Sequence, residues 1–379
     1  MATNVVILKS RLTHLGGLEK HALWLAKEFV ARGCHVTILS TGNTDVEDSP
    51  FRVINLCRHS SLGAIQLRRY DRLCRKWLKE HPADIVFGMD RNNAQTHYRA
   101  GNGVHAAYLQ QRKKYDPLLK RLSFSINPLH RTILSLEQQC FEHPELEILF
   151  TNSRMVKEEI LQHYETNAQK IQVIHNGVEW KEMQENFEQW PLVRSAWLTE
   201  FDLDPSCYQF LFVGQGYRRK GLHALLRGLA HLKNRDVQLS VVGQDKEIRT
   251  FEALTHQLDI AQQVKFFGSR NDVRRFYQAA DALAIPSIYD PFANVTVEAL
   301  AMGLFVVSSK TNGGREILSP SSGCIIEDLS SIESIAQSLL VALNYPKTPP
   351  SATLIRNQVQ HLDFQQQQHK MVSAILQGR

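Results

Sequence analysis

At 379 residues and 43% hydrophobic content, the chain can bury a sizeable core and has the length of two ordinary domains. Neither a run long enough to span a membrane nor the hydrophobic centre of a signal peptide is present, which predicts a cytoplasmic protein. The formal net charge of +6 is mild for this length and comes with no nucleic-acid-binding motif, so a dedicated nucleic-acid binder is excluded.

In chain order, short apolar runs at 5–8, 36–39, 85–87, 148–150 and 171–174 read as buried strands. A second series follows at 210–213, 239–242, 264–267, 283–285, 305–307 and 324–326. Between strands, Leu18, Ala22, Leu25 and Phe29 keep helical spacing before Gly33, and Leu222, Leu225, Leu226, Leu229 and Leu232 do so before Asn234. This alternation, run through twice, predicts an α/β chain of two doubly wound, parallel-sheet, Rossmann-like domains with their carboxyl-edge loops facing a central cleft. The boundaries expected are 1–178 and 179–351, with the join near 176–189. A final helix within 352–379 would cross back to the first domain. Cys34, Cys57, Cys74, Cys140, Cys207 and Cys324 are scattered without Cys-x-x-Cys spacing, which predicts reduced structural thiols and no zinc site.

Two glycine-bearing loops open helices at equivalent places in the two halves. The first contains Gly16 and Gly17. The second runs from Gly214 through Gly216, Arg218, Arg219 and Lys220 to Gly221. Neither is a P-loop, and neither completes the dinucleotide fingerprint. Glycines after a parallel strand are commonly tight turns, but the second loop also delivers three cations to a strand's carboxyl edge, where an anionic partner such as a pyrophosphate would satisfy them.

The most informative segment is 289–303, where Asp290 and Glu298 stand eight positions apart across the start of a helix. Backbone N–H groups of Asn294, Val295 and Thr296 would point at the helix mouth, and the positive end of the dipole favours a diphosphate there. That is the layout of a nucleotide-sugar grip. An ordinary helix with a solvated Glu and an Asp in a turn has the same local pattern, and this segment alone does not separate the two.

Taken together these residues resemble the retaining glycosyltransferases of GT-B fold that carry an acidic-x7-Glu signature, and the likeness spans nearly the whole chain. The stretches 79–84, 241–246, 251–254 and 270–273 are similar to the branch that adds glucose to heptose in the bacterial lipopolysaccharide core. Ile174, Asn176, Gly177 and Val178 match that family's Ile-x-Asn-Gly-Val. The resemblance implies a UDP-hexose donor and a lipopolysaccharide-core or other glycolipid acceptor. Gly16, Gly17 and Gly214 would let backbone approach the donor, Arg219 and Lys220 would neutralise the pyrophosphate, Glu298 would hold the ribose, and Asp290 would face the reacting sugar. Alternatives within the same chemistry are another hexosyl- or N-acetylhexosaminyltransferase; outside it stand a sugar-nucleotide 2-epimerase and a non-catalytic, sugar-nucleotide-binding membrane scaffold.

The chain departs from the family pattern in three places. Asp290 stands where many relatives have Glu. Gln215 follows Gly214 where Arg is common, so Arg218 or Arg219 would supply the missing cation. Asn102 replaces an Asp of close relatives, and a neutral amide cannot be a general base; His105 is the nearest titratable group, although a lone loop histidine is more often a hydrogen-bonding residue.

No cofactor or metal is expected. The one Asp-x-Asp triplet, Asp202 to Asp204, precedes Pro205 and reads as turn chemistry, so phosphate charge would be met by side chains and helix ends. Finally, Arg112, Lys113, Lys114, Lys120, Arg121 and Arg131 interleave with Tyr108, Leu109, Tyr115, Leu118, Leu119, Leu122, Phe124 and Ile126. Such a pattern suits an anionic membrane surface reached through 106–135, and equally a solvated helix face whose apolar residues pack inward.

Overall fold

The structure, a computed structural model, describes residues 2–12, 17–42, 49–58 and 63–377. Contacts divide the chain into two compact units: residues 1–175 with 368–379, and residues 176–367.

The first unit is built on seven strands among the described residues: β1 Asn4–Leu8, β2 His35–Thr41, β3 Arg52–Cys57, β4 Ile85–Gly88, β5 His97–Arg99, β6 Ile148–Thr151 and β7 Ile171–Val173. They lie in the order β3-β2-β1-β4-β5-β6-β7, every pairing parallel. Central strands are covered by helices on both faces, so β1 and β4 are apolar nearly throughout: Ile7, Leu8, Ile85 and Phe87 are fully buried. Helix Gly17–Ala31 adds Ala22, Leu25, Ala26 and Phe29 to that core, and Met371, Val372 and Ile375 join it from the chain's last helix.

The second unit carries six strands: β8 Tyr208–Val213, β9 Val237–Val242, β10 Val264–Gly268, β11 Ala282–Ile285, β12 Phe305–Ser309 and β13 Gly323–Ile326. Their order is β10-β9-β8-β11-β12-β13, again all parallel. Both units are therefore the doubly wound sheets read from the sequence. In each, strand order reverses once, between β1 and β4 in the first and between β8 and β11 in the second. Crossovers leave in opposite directions at such a point, and the loops there open a crevice at the carboxyl edge.

The sequence missed two strands and the break in the carboxyl-terminal helix. β3 is an edge strand with no fully buried residue, and β5 is three polar or aromatic residues that are nonetheless buried. The expected single helix over 352–379 is two, Pro349–Gln358 and Phe364–Gln377. Between them the chain turns to pair with Val178: Val178 N–H donates to Leu362 O at 2.9 Å, and Phe364 N–H donates to Val178 O at 2.8 Å. Most of the 176–189 stretch taken as a join is helical, forming the start of Trp180–Glu200.

Candidate functional site

The reversal between β8 and β11 places the loop 214–221 beside the loop 286–293. The two are fastened at close quarters. Ile288 N–H donates to Arg219 O at 2.9 Å. Gly221 has φ +83°, and a Cβ there would stand 1.7 Å from Pro286 O, so only glycine permits the approach.

The consequence is convergence on one carboxylate. Lys220 Nζ donates to Asp290 Oδ2 at 2.7 Å, and Arg219 donates to the same oxygen at 3.0 Å and to Tyr289 O at 3.3 Å. Asp290 and Lys220 are buried, while the Arg219 side chain is 40% exposed. Burial alone would push the Asp290 carboxyl up; the Lys220 and Arg219 cations outweigh it and hold it below the usual carboxylate range. The backbone of Asp290 is fixed by Thr311 and Gly313, its N–H donating to Thr311 O and its O accepting from Gly313 N–H, each at 2.9 Å.

Four residues later helix Asn294–Ala301 begins at an N-cap, Ala293, that has no side chain able to cap it. Its amino end keeps donor capacity and dipole for an anion. The mouth is otherwise well braced. Asn312 Oδ1 accepts from Ala293 N–H at 3.1 Å and from Gly314 N–H at 3.0 Å. Asn176 Nδ2 donates to Asn294 Oδ1 at 2.6 Å. Val295 is partly buried and Thr296 buried. Glu298, on this helix, is partly buried rather than solvated, and Tyr277 donates its hydroxyl to Oε2 at 2.8 Å. Burial lifts the Glu298 carboxyl above its ordinary value, against the Tyr277 hydrogen bond that stabilises the charged form.

Arg218 does not join this cluster. Its side chain pairs with Glu247 at 3.7 Å, both more than half exposed, so the expectation of three cations at the strand edge reduces to two. Gly214 lies under Lys220, whose Cγ would stand 3.2 Å from a Cβ at that position. Asp204 accepts from Ser206 N–H and Oγ at 2.9 and 2.7 Å in an Asx turn, and Asp202 pairs with Lys265. Among the described residues no group of three His, Cys, Asp or Glu side chains is arranged to hold a metal ion.

In the first unit, Gly17 opens helix Gly17–Ala31 after β1, whereas Gly16 lies outside the described residues. At the reversal between β1 and β4, Lys9 Nζ lies 3.3 Å from Asp90 Oδ1 and 3.6 Å from Glu19, and Ser10 donates to Asp90 Oδ2 through N–H and Oγ, each at 2.7 Å. Asn102 is exposed in a turn just after β5. His105 starts helix His105–Tyr115, whose N-cap Val104 offers no side-chain acceptor. Glu137, fully buried, supplies one: it accepts from His105 N–H at 2.9 and 2.8 Å, from Arg91 Nε at 2.7 Å and from the Tyr164 hydroxyl at 2.7 Å. Arg91 also donates to Gly103 O at 3.1 Å, so the Asn102 turn and the helix start are tied to one carboxylate. His105 Nε2 meets His130 Nδ1 at 3.0 Å. Burial, reinforced by Arg91, lowers the His105 imidazole to about 4, which leaves it neutral near pH 7.

The structure thus gathers Arg219, Lys220, Asp290, the 294–296 helix start and Glu298 in the second unit, and Asn102 with His105 in the first. Tyr277, Asn312, Arg91 and Glu137 were missed; Glu137 is, with Asp116, one of only two acids in the basic stretch 106–138.

Residues 196–360 match the family model of glycosyl transferases group 1, and residues 15–181 match that of glycosyltransferase family 4. The lipopolysaccharide glucosyltransferase WaaG of Escherichia coli (strain K12) is 27% identical over 332 residues, covering 86% of each chain. A crystal structure of WaaG aligns with a TM-score of 0.77 and 24% identity over 98% of this chain and 99% of that one. Anabaena Alr3699/HepE, solved in complex with UDP and glucose, aligns at 0.69 and 17% identity over 99% and 100%.

Proposed function

The chain belongs to the group 1 glycosyltransferases of GT-B fold, and from that premise we propose that it moves a hexose, glucose from UDP-glucose, onto a lipopolysaccharide-core sugar such as heptose, with retention and without a metal ion. The observation that carries the reading is the pair of cations, Lys220 and Arg219, held on Asp290 beside an uncapped helix start, with Glu298 further along the same helix. A diphosphate would take up the cations' remaining donors and the helix end. Glu298, prepositioned by Tyr277, would accept from the ribose hydroxyls. As the sugar–phosphate bond breaks, negative charge grows on the departing diphosphate, and fixed cations stabilise that state more than the ground state.

Asn102 would orient the acceptor hydroxyl through its amide, the proton passing to the departing diphosphate oxygen. A His105 held neutral, its ring nitrogen engaged by His130, supports this division of labour. The likeness to WaaG supports the choice of acceptor class, and the UDP and glucose in HepE support that of the donor.

The same reading includes attachment to the inner face of the cytoplasmic membrane. In helix Leu118–Ile126, Leu118, Leu119, Leu122 and Ile126 are 61–84% exposed while Phe124 alone is buried. Lys113, Lys114, Lys120 and Arg121 are exposed alongside. No helix among the described residues is long and apolar enough to cross a membrane; a short helix of this kind would lie in the interface.

A nucleotide-sugar panel, scored by thermal shift and by nucleotide release with and without heptose-containing acceptor, tests the proposal. UDP-glucose stabilisation and acceptor-dependent UDP release that survive chelator are expected. Release restored only by added magnesium or manganese would overturn metal independence, and acceptor-independent conversion of the donor would point to epimerisation.

A further inference from the structure

The first unit contains a groove that this reading leaves unused. It lies between helices Gly63–Glu80 and Pro128–Phe141 and has a volume of about 540 Å³. Arg68, Arg69, Arg72 and Arg75 line one wall, and Thr132, Ser135 and Gln139 line the other. Arg68, Arg72 and Arg75 are spaced four and three apart, so they share a helix face and repel one another when nothing lies between them.

The groove's one carboxylate is already engaged. Asp71 Oδ2 accepts from Arg75 at 2.9 and 3.1 Å, and its Oδ1 accepts from Asn93 N–H at 2.7 Å. Arg68, Arg69 and Arg72 have no carboxylate partner among the described residues. On the opposite wall the Thr132 hydroxyl is buried and closed off from solvent, so the polar side chains open to the groove there are Ser135 and Gln139. Ser135 Oγ accepts from Gln139 Nε2 at 3.1 Å, which leaves the Ser135 proton to be donated elsewhere. One wall therefore offers planar, permanently charged donors suited to phosphate oxygens. The other offers neutral hydroxyl and amide groups suited to sugar hydroxyls.

We propose that this groove binds a phosphorylated saccharide, the phosphate on Arg68, Arg69 and Arg72 and the sugar against Ser135 and Gln139. The volume exceeds what a bare phosphate needs and is that of a small-ligand site. A concave groove walled by arginines also fits a discrete ligand better than a bilayer surface. The site lies in a different unit from Lys220 and Asp290, so it is independent of the donor reading.

The test is calorimetric titration of the full chain with glucose 6-phosphate, glucose and inorganic phosphate, each in saturating UDP and phosphate-free buffer. Glucose 6-phosphate should bind with UDP present, more tightly than inorganic phosphate, and glucose should not bind. Arg68→Gln with Arg72→Gln should weaken it about tenfold or more, the scale of one lost charge-assisted contact, while UDP affinity and the circular dichroism spectrum stay as in wild type. Ser135→Ala, a milder change, should weaken it severalfold. Competition by UDP, undiminished binding in the arginine variant, or inorganic phosphate binding as tightly as the sugar phosphate would each overturn the proposal. So would arginine-dependent binding to phosphatidylglycerol vesicles without any binding of the sugar phosphate.

Discussion

Replacing Asp290 by Asn separates the two duties proposed for the cation pair, because on that reading Asp290 and a diphosphate would compete for the same donors. Lys220 is buried and its shortest ion pair is to Asp290 at 2.7 Å; Arg219 is more exposed and can turn toward water. Removing one partner of a buried pair costs about 3 to 5 kcal/mol. Solvent access at Arg219 reduces this to roughly 2 to 4 kcal/mol, and at about 2 to 4 °C per kcal/mol for a unit of this size the free protein should melt roughly 5 to 15 °C lower. The cations so released would be open to UDP. A charge-assisted hydrogen bond contributes about 1.5 to 3 kcal/mol, so UDP should bind Asp290→Asn about tenfold or more tightly and recover much of the lost melting temperature, while turnover falls sharply. Calorimetric unfolding with and without UDP, beside UDP titration, measures all three quantities. Equal or weaker UDP affinity in Asp290→Asn would show that Lys220 and Arg219 do not face the diphosphate, and would refute the reasoning at its centre.

Three further outcomes are expected. Glu137→Gln leaves the partly buried Arg91 without its carboxylate and removes the charged acceptor from the start of helix His105–Tyr115; denaturant unfolding should show a loss of about 3 to 5 kcal/mol, and a loss under about 1 kcal/mol would discount the network. His105, lowered to about 4 from an ordinary 6.5, binds a proton more readily unfolded than folded, so it favours the fold above pH 6.5 and that contribution is lost as pH falls toward 4. Activity between pH 6 and 8 should therefore give superimposable profiles for wild type and His105→Gln, and disappearance of a limb near neutrality in the variant would restore it as a base. Tyr277→Phe removes a hydrogen bond that favours the charged Glu298; UDP affinity should fall severalfold and its loss on acidification should set in at higher pH than in wild type, both measured by titration across pH.

What the sequence made legible follows from where burial and contact are local. Strands covered on both faces had to be continuous apolar runs, so β1, β4, β8 and β11 could be read directly. β5 could not, because His97, Tyr98 and Arg99 are buried by packing and polar pairing that only the finished sheet supplies. Asp290 and Glu298 were legible as a pair because a loop and the helix it opens fix their spacing. Their partners were not: Tyr277 and Lys220 reach them from other strand–helix units, brought alongside by the β8–β11 adjacency.

The three consecutive cations show the limit most clearly. Arg218, Arg219 and Lys220 are three consecutive cations in the sequence, yet Arg218 points to Glu247 and the next two to Asp290. The direction is set by the backbone around them. Gly216 at φ +71° and Gly221 at φ +83° turn the chain on either side, and Gly221 alone permits contact with Pro286. The glycines could be read as a turn, but which cation that turn would deliver depended on the neighbouring strand's loop, more than sixty residues away in the chain. A side chain's identity thus named the chemistry available, and the crossing of two loops at the sheet's reversal chose which residues perform it.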